Sequence, residues 1–257
     1  MTLSDKAQTL LALHERSELL TVVNVWDPIS AQAVAAEPGT EALATASHSI
    51  AASFGYEDGE NIPLDLHLEA IERIVKTTDL PVSADLEGGY GDAGETVRRA
   101  IGVGVVGANL EDQLKPLDES VRAVEAALAA GEKEGIRFVL NARTDAFVKG
   151  GDRSPEQNLA DAVERGRAYL DAGAPVVFVP GKLDEQQVTT LVDAFGPQKL
   201  TVIAVPGSLP LQRLEELGVS RVSYGPWTQR VALTALQDFV RTVHAGGELP
   251  EGTRPLN

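Results

Sequence analysis

The feature that most limits how this chain can fold is its rhythm. Eight short runs rich in apolar and β-branched residues alternate with longer stretches of helical period. The runs are Thr21–Trp26, Ala42–His48, Pro81–Glu87, Gly104–Asp112, Arg137–Arg143, Ala174–Pro180, Leu200–Val205 and Arg221–Tyr224. Several are almost continuously apolar, as in Pro-Val-Val-Phe-Val at Pro175–Val179, which is what parallel strands buried on both faces require. Between them, apolar residues recur at helical spacing, for example Leu66, Ile71, Ile74 and Val75, and again Leu159, Val163 and Leu170. Asp118 ahead of Val121, Ser154 followed by Pro155, and Asp184 read as helix starts. Ala172–Ala174 and Leu217–Val219, each with a central glycine, read as helix ends.

From Thr21 to Pro226 the units average about 26 residues, the repeat of a (β/α)8 barrel. A doubly wound open sheet seldom has eight units so even. The predicted fold class is therefore α/β, a (β/α)8 TIM barrel forming one domain over residues 1–245. An extra helix, Ser4–Leu20, precedes it, and a Gly/Pro-rich tail over 246–257 is expected to be loosely ordered. No linker or low-complexity tract marks a second domain.

Composition narrows the chemistry. With no cysteine there is no disulfide scaffold, thiolate metal site or cysteine nucleophile. Lys and Arg number 22 against 38 Asp and Glu, a formal net charge of −16. Such a chain repels phosphate backbones, and no basic stripe offsets this, so no nucleic-acid partner is expected. No apolar run reaches the roughly 18 residues of a membrane span, and Met1–Leu20 is too charged and broken for a signal peptide. The expectation is a cytoplasmic protein without a membrane partner.

Most of the 38 acidic residues suit a solvated surface. A few sit where solvation does not explain them. Catalytic groups of such barrels gather at the C-terminal ends of the strands. There the third run reads Ser83-Ala-Asp-Leu-Glu-Gly-Gly-Tyr-Gly-Asp92, the fourth Asn109-Leu-Glu-Asp112 and the fifth Asn141-Ala-Arg-Thr-Asp145. Strand alternation puts Asp85 with Glu87, Asn109 with Glu111, and Asn141 with Arg143 and Asp145 on common faces. Carboxylates packed together and unpaired repel one another, and a bound hard cation removes that cost. Oxygen donors without His or Cys favour Mg²⁺, or Mn²⁺, over Zn²⁺. Asp85 is the chosen direct ligand, with the other carboxylates holding waters. Arg143 offers a fork of donors to a substrate carboxylate or developing negative charge. The competing reading is an ion-pair network that merely closes the barrel top.

These segments, together with Asn24-Val-Trp-Asp-Pro-Ile-Ser30 and Ser47 through Gly55-Tyr-Glu-Asp-Gly59, resemble the isocitrate lyase/phosphoenolpyruvate mutase superfamily. The likeness runs from about Thr21 to Leu236. It implies a Mg²⁺-dependent enzyme acting on a small 2-oxo acid or a 2-hydroxy or alkyl diacid by making or breaking a bond next to an enolate. On that pattern Asp85 is the metal ligand, and Asp58, Glu87 and Glu111 hold metal-bound waters. Arg143 lies near the reacting carbon, and backbone donors around Ser47 and His48 hold the substrate carboxylate. The resemblance also implies a homotetramer whose last helix, Trp227–His244, is exchanged between partners; dimer or tetramer is the expected state.

The departures bear on the reaction. Isocitrate and methylisocitrate lyases resemble one another in a mobile Lys-Cys-Gly-His loop, whereas here Glu111-Asp-Gln-Leu-Lys-Pro-Leu-Asp118 runs almost directly into a helix. The gate of phosphonopyruvate mutases and hydrolases is shortened to a partial echo at Lys115-Pro116. Elimination leaves a C–C lyase or oxaloacetate-type decarboxylase, with phosphonopyruvate chemistry and a non-catalytic 2-oxo acid binder as alternatives. His48 reads either as a proton donor or substrate contact or as a polar loop residue. Lys182 reads as a contact to a distal anion or as a surface lysine. Trp26 and Tyr90 are expected to wall the pocket or to join the core.

Overall fold

The computed structural model describes residues 1–254. Nine strand segments run β1 Leu20–Val22, β2 Asn24–Val25, β3 Leu43–Thr45, β4 Val82–Asp85, β5 Gly107–Glu111, β6 Val139–Arg143, β7 Val176–Val179, β8 Leu200–Ile203 and β9 Arg221–Ser223. All pair in parallel, in the order β1-β9-β8-β7-β6-β5-β4-β3-β2. Only Val23 separates β1, bonded to β9, from β2, bonded to β3, so one interrupted strand closes the ring. The eight expected strands are thus present, the first of them broken. The fold is an α/β barrel of the TIM type.

Helices alternate with these strands: α1 Leu3–Glu15, α2 Pro28–Ala35, α3 Ser47–Ser53, α4 Leu64–Val75, α5 Ala93–Gly102, α6 Leu117–Lys133, α7 Pro155–Asp171, α8 Glu185–Phe195, α9 Leu211–Glu216 and α10 Trp227–His244. Local chemistry sets their ends. Ser154 and Asp184 each accept from a backbone N–H three residues on, and Gln157 and Gln187 bond back to the cap. Such a reciprocal cap is worth about 1 kcal/mol. Elsewhere the sequence reading needs correction. The front helix ends at Glu15 rather than Leu20, because Leu20 is drawn into the barrel opposite Arg221. Helix α6 starts at Leu117 after Pro116, and Asp118 is spent on Arg122 within the first turn. The run Ala42–His48 splits, since the strand stops at Thr45 and α3 begins at Ser47.

The strands bury both faces, as their composition demands. Inside the ring the contacts are largely polar: Asn141 Nδ2 donates to Asn109 Oδ1 at 2.7 Å and Thr201 Oγ1 to Asn141 Oδ1 at 2.6 Å. Deeper lies Arg221, fully buried, with Nη1 3.2 Å from Ser83 Oγ. Burial pulls its pKa down to about 10. Helix α1 closes the N-terminal end; a Cβ at Gly107 would stand 2.8 Å from Leu10 Cδ2, so glycine lets helix and strand meet. Helix α10 leaves the barrel. Its first turns are tied down by Thr228 and Gln229, but Val231, Leu236 and Val240 stand 69%, 56% and 42% exposed. Among the described residues no helix is long and apolar enough to cross a membrane. The predicted tail 246–257 lies partly outside the described residues, at 255–257.

Candidate active site

At the C-terminal rim, β3 and β4 are laced together. The Asp85 N–H donates to Thr45 Oγ1 at 2.9 Å, and Asp85 Oδ2 faces both the N–H (3.2 Å) and the hydroxyl (2.9 Å) of Ser47. The same hydroxyl lies 3.3 Å from Asp58 Oδ1. One hydroxyl carries one proton, so it serves one carboxylate at a time and the two acids stay only partly compensated. Strand β3 thereby brings Ser47, Asp58 and Asp85 together.

Glu87 goes elsewhere. Because β4 ends at Asp85, strand alternation does not extend to Glu87, which has left-handed backbone (φ 52°). Its carboxylate accepts from the Glu60 N–H and from Tyr90 OH, the latter at 3.2 Å. The Tyr90 N–H in turn donates to Glu60 Oε1 at 2.6 Å. Glu60 (φ 62°) and Tyr90 (φ 53°) are left-handed too, so three costly backbone conformations hold one another in place. Burial, opposed by the Glu60 N–H and reinforced by the charges of Asp85 and Asp58, pushes the Glu87 carboxyl up to about 7. Tyr90 OH also lies 2.8 Å from Nδ1 of buried His67, whose pKa burial lowers to about 4.

On the other side of the rim, Glu111 and Arg143 are register partners on β5 and β6. Arg143 Nη1 is 2.8 Å from Glu111 Oε2, and Nε is 2.7 Å from Asp145 Oδ1. Lys149 Nζ joins both carboxylates, at 3.2 Å from Glu111 and 3.0 Å from Asp145. Burial works against the Arg143 charge, but Glu111 and Asp145 outweigh it and hold its pKa above the usual value. Burial raises the Glu111 carboxyl despite Arg143. Two cations thus balance two carboxylates. For Glu111 the ion-pair reading describes what is seen.

Between these groups lies a cavity of about 250 Å³. Asn24, Ser47, His48, Asp58, Asp85, Asn109 and Arg143 line it, together with Phe178, Pro180, Ile203 and Val205. Of the predicted site residues, Glu87 and Glu111 do not line it; Glu87 is held by Glu60 and Tyr90, and Glu111 reaches the cavity only through its ion pair with Arg143. Trp26 packs on the core and Tyr90 on His67, and neither lines the cavity. His48 is the second residue of α3, not a loop residue, and its Nδ1 is buried without a partner. The Ser47 N–H, read as a substrate donor, is already committed to Asp85. Lys115 lines a neighbouring cavity of about 240 Å³ that reaches Ser120 and Tyr169 and is also lined by Glu111 and Arg143. A larger cavity, about 440 Å³, opens at the N-terminal end of the barrel beside Arg137 and Lys199 and holds none of the predicted residues.

Two contributors escaped the sequence reading. Lys149 carries only a weak signal, its i+4 spacing from Asp145. Asn24 spans two strands, accepting from the N–H groups of Tyr224 (2.8 Å) and Gly225 (2.7 Å) and donating to Thr45 O (2.8 Å).

The donor set suits a hard cation. It is all oxygen, and the mutual repulsion of Asp85, Asp58 and Glu87 is what a cation relieves. Among the described residues no three Asp, Glu or His side chains form a ready-made cage. A cation held here would take few protein ligands and keep waters, the habit of Mg²⁺.

Comparison with known proteins agrees with this geometry. The profile of the phosphoenolpyruvate phosphomutase family matches residues 10–244. An oxaloacetate decarboxylase from Paraburkholderia xenovorans is 30% identical over 92% of this chain and 82% of its own length. A solved structure of a candidate phosphonomutase from Burkholderia cenocepacia J2315 is 37% identical, with a TM-score of 0.86, covering 96% of this chain and all of the other. An oxaloacetate acetylhydrolase bound to oxalate superposes with a TM-score of 0.86 at 28% identity, covering 99% of this chain and 92% of the other. Family profile, barrel and rim chemistry agree, and the chain belongs to the phosphoenolpyruvate phosphomutase family of the isocitrate lyase/PEP mutase superfamily.

Proposed function

We propose that this chain is a divalent-cation-dependent C–C lyase, of the oxaloacetate decarboxylase type or close to it, acting on a small 2-oxo or 2-hydroxy carboxylate. One observation carries the reading: a cavity of small-acid size has Asp85 and Asp58 on one wall and a half-buried guanidinium, Arg143, on another. Asp85 would hold Mg²⁺ or Mn²⁺, with Asp58 and Glu87 disposed to steady its waters, and the ion would supply Lewis acidity that favours enolate charge.

The chain's own groups do the rest. Asp145, Glu111 and Lys149 fix Arg143 so that its remaining nitrogen, Nη2, can meet developing negative charge without reorganising. The first N–H groups of α3 precede its first intrahelical bond, and with Ser47 engaged the His48 N–H is left for a substrate carboxylate. His48 lines the cavity from the first turn of α3 and is the candidate proton donor there, a role the cysteine-bearing lyases give to a group this chain lacks. The apolar face of α10 supports a homo-oligomer in which that helix packs on a partner subunit.

The similarity to a Variovorax phosphonopyruvate hydrolase, 24% identical over 96% of this chain, favours P–C bond chemistry as the second reading. Assaying pyruvate release from oxaloacetate, 2-methylisocitrate and phosphonopyruvate with Mg²⁺ separates the two. Release from either carbon substrate supports the lyase. Release from phosphonopyruvate alone overturns it.

A further inference from the structure

Asp112 follows Glu111 at the end of β5, but its side chain points the other way, toward α7, and does not line the cavity around Asp85. The side chain is 2% exposed. A carboxylate buried there is costly unless donors surround it, and apolar residues would fill the same space without that cost. Four donors do surround it. Oδ2 accepts from Tyr169 OH (2.7 Å) and Arg165 Nη1 (3.1 Å), both on α7. Oδ1 accepts from the N–H groups of Leu114 (2.9 Å) and Asp145 (3.0 Å). Asp145 is the residue whose carboxylate takes Arg143 Nε. Its carbonyl accepts from the N–H groups of Val148 (3.0 Å) and Lys149 (2.8 Å), the turn that returns Lys149 to Glu111. The Asp112 N–H donates to Arg143 O at 3.0 Å. Main chain on both sides of Arg143 is therefore tied to one residue, and that residue is tied to α7.

We propose that Asp112 is a positioning residue: by fixing the Asp145 main chain to α7, it aims the Arg143 guanidinium into the cavity. The proposal rests on the reading above, in which Arg143 meets negative charge on the ligand, and extends it to a residue that touches no ligand. A donor stabilises such charge well only when it is already in place, and a displacement of about 1 Å costs on the order of a hundredfold in rate. Glu111 and Asp145 orient the guanidinium from its own side of the rim. Asp112 holds the backbone from which Asp145 does so.

The test is calorimetry of Mg²⁺ alone, which reports the Asp85 side, and of oxalate with Mg²⁺ saturating, which adds Arg143. Asp112→Ala is expected to weaken oxalate by roughly tenfold or more and to leave Mg²⁺ affinity unchanged. Asp112→Asn loses the charge but keeps an amide oxygen for the Leu114 and Asp145 N–H groups, with its NH2 turned to the Tyr169 hydroxyl, and so retains most of the oxalate affinity. In an Arg143→Ala background, Asp112→Ala has no further effect on oxalate, because the group it aims is gone. Should Asp112→Ala be too unstable to purify, Asp112→Leu with Arg165→Leu removes both members of the buried pair and is read the same way. A purely structural role lowers the urea midpoint but leaves oxalate affinity in place, or weakens oxalate by the same factor with and without Arg143. Either result overturns the assignment alone. Failure of oxalate to bind the unmodified protein overturns the metal–enolate reading and this inference with it.

Discussion

Ser47 and Asp85 are joined twice: both the backbone N–H and the side-chain hydroxyl of Ser47 reach Oδ2 of Asp85, at 3.2 and 2.9 Å. This pair locks the start of α3 to the end of β4 and aims the carboxylate into the cavity. It also gives the hydroxyl at position 47, the first residue of α3, its function. Ser47→Ala keeps the backbone bond and removes the hydroxyl one. A charge-assisted hydrogen bond is worth about 1.5–3 kcal/mol, so Mg²⁺ affinity measured by calorimetry should fall by roughly tenfold or more with the fold retained.

The Arg143 network predicts a different signature. Arg143→Ala leaves Glu111 and Asp145 buried with only Lys149 to balance them. Breaking such a buried pair costs about 3–5 kcal/mol, seen as a lower urea midpoint. The double variant Arg143→Met with Glu111→Leu should recover part of that stability while remaining inactive. A double variant no more stable than Arg143→Ala would show that the pairing contributes little.

Stability should fall in mild acid through His14. It is fully buried, with Nδ1 2.8 Å from Leu10 O, and burial beside Arg221 depresses its pKa from 6.5 to about 3. The unfolded chain takes up a proton near pH 6.5 and the folded chain does not, so the stability present above that pH is lost as pH drops toward 3. The loss is on the order of a few kcal/mol at the lower end. Urea midpoints between pH 7 and 4 should decline less in His14→Gln than in the unmodified protein.

Helix α10 is expected to lie in a subunit interface. Leu236→Asp with Val240→Asp places charge on its exposed apolar face. Light scattering after size-exclusion chromatography should show an oligomer for the unmodified chain and a smaller species for the variant. An unmodified chain that is monomeric contradicts the expectation.

What the sequence made legible follows the range of the interaction. Ser154 and Asp184 could be read as caps because a cap involves residues three apart. Asp85, Glu111 and Arg143 could be placed at the rim because strand alternation is likewise local. The reading failed where tertiary contacts decide. Nothing local says that β4 stops at Asp85, so alternation predicts Glu87 on the cavity face, whereas it turns to Glu60 and Tyr90. Ala42–His48 looked like one strand because a short apolar run does not distinguish a strand from the helix that follows it. Lys149 became part of the site only when the segment after β6 folded back over Glu111.

The central claim is that Asp85 and its neighbours hold a divalent cation against an oxyanion. Its most direct test is the thermal unfolding midpoint with oxalate, with and without Mg²⁺, in the unmodified protein and in Asp85→Ala. The account predicts a rise of several degrees that needs both oxalate and Mg²⁺ and vanishes in Asp85→Ala, about 2.7 kcal/mol of stabilisation when the ligand stands at a hundred times its Kd. Full stabilisation by oxalate after all divalent metal has been chelated, or undiminished in Asp85→Ala, would contradict it.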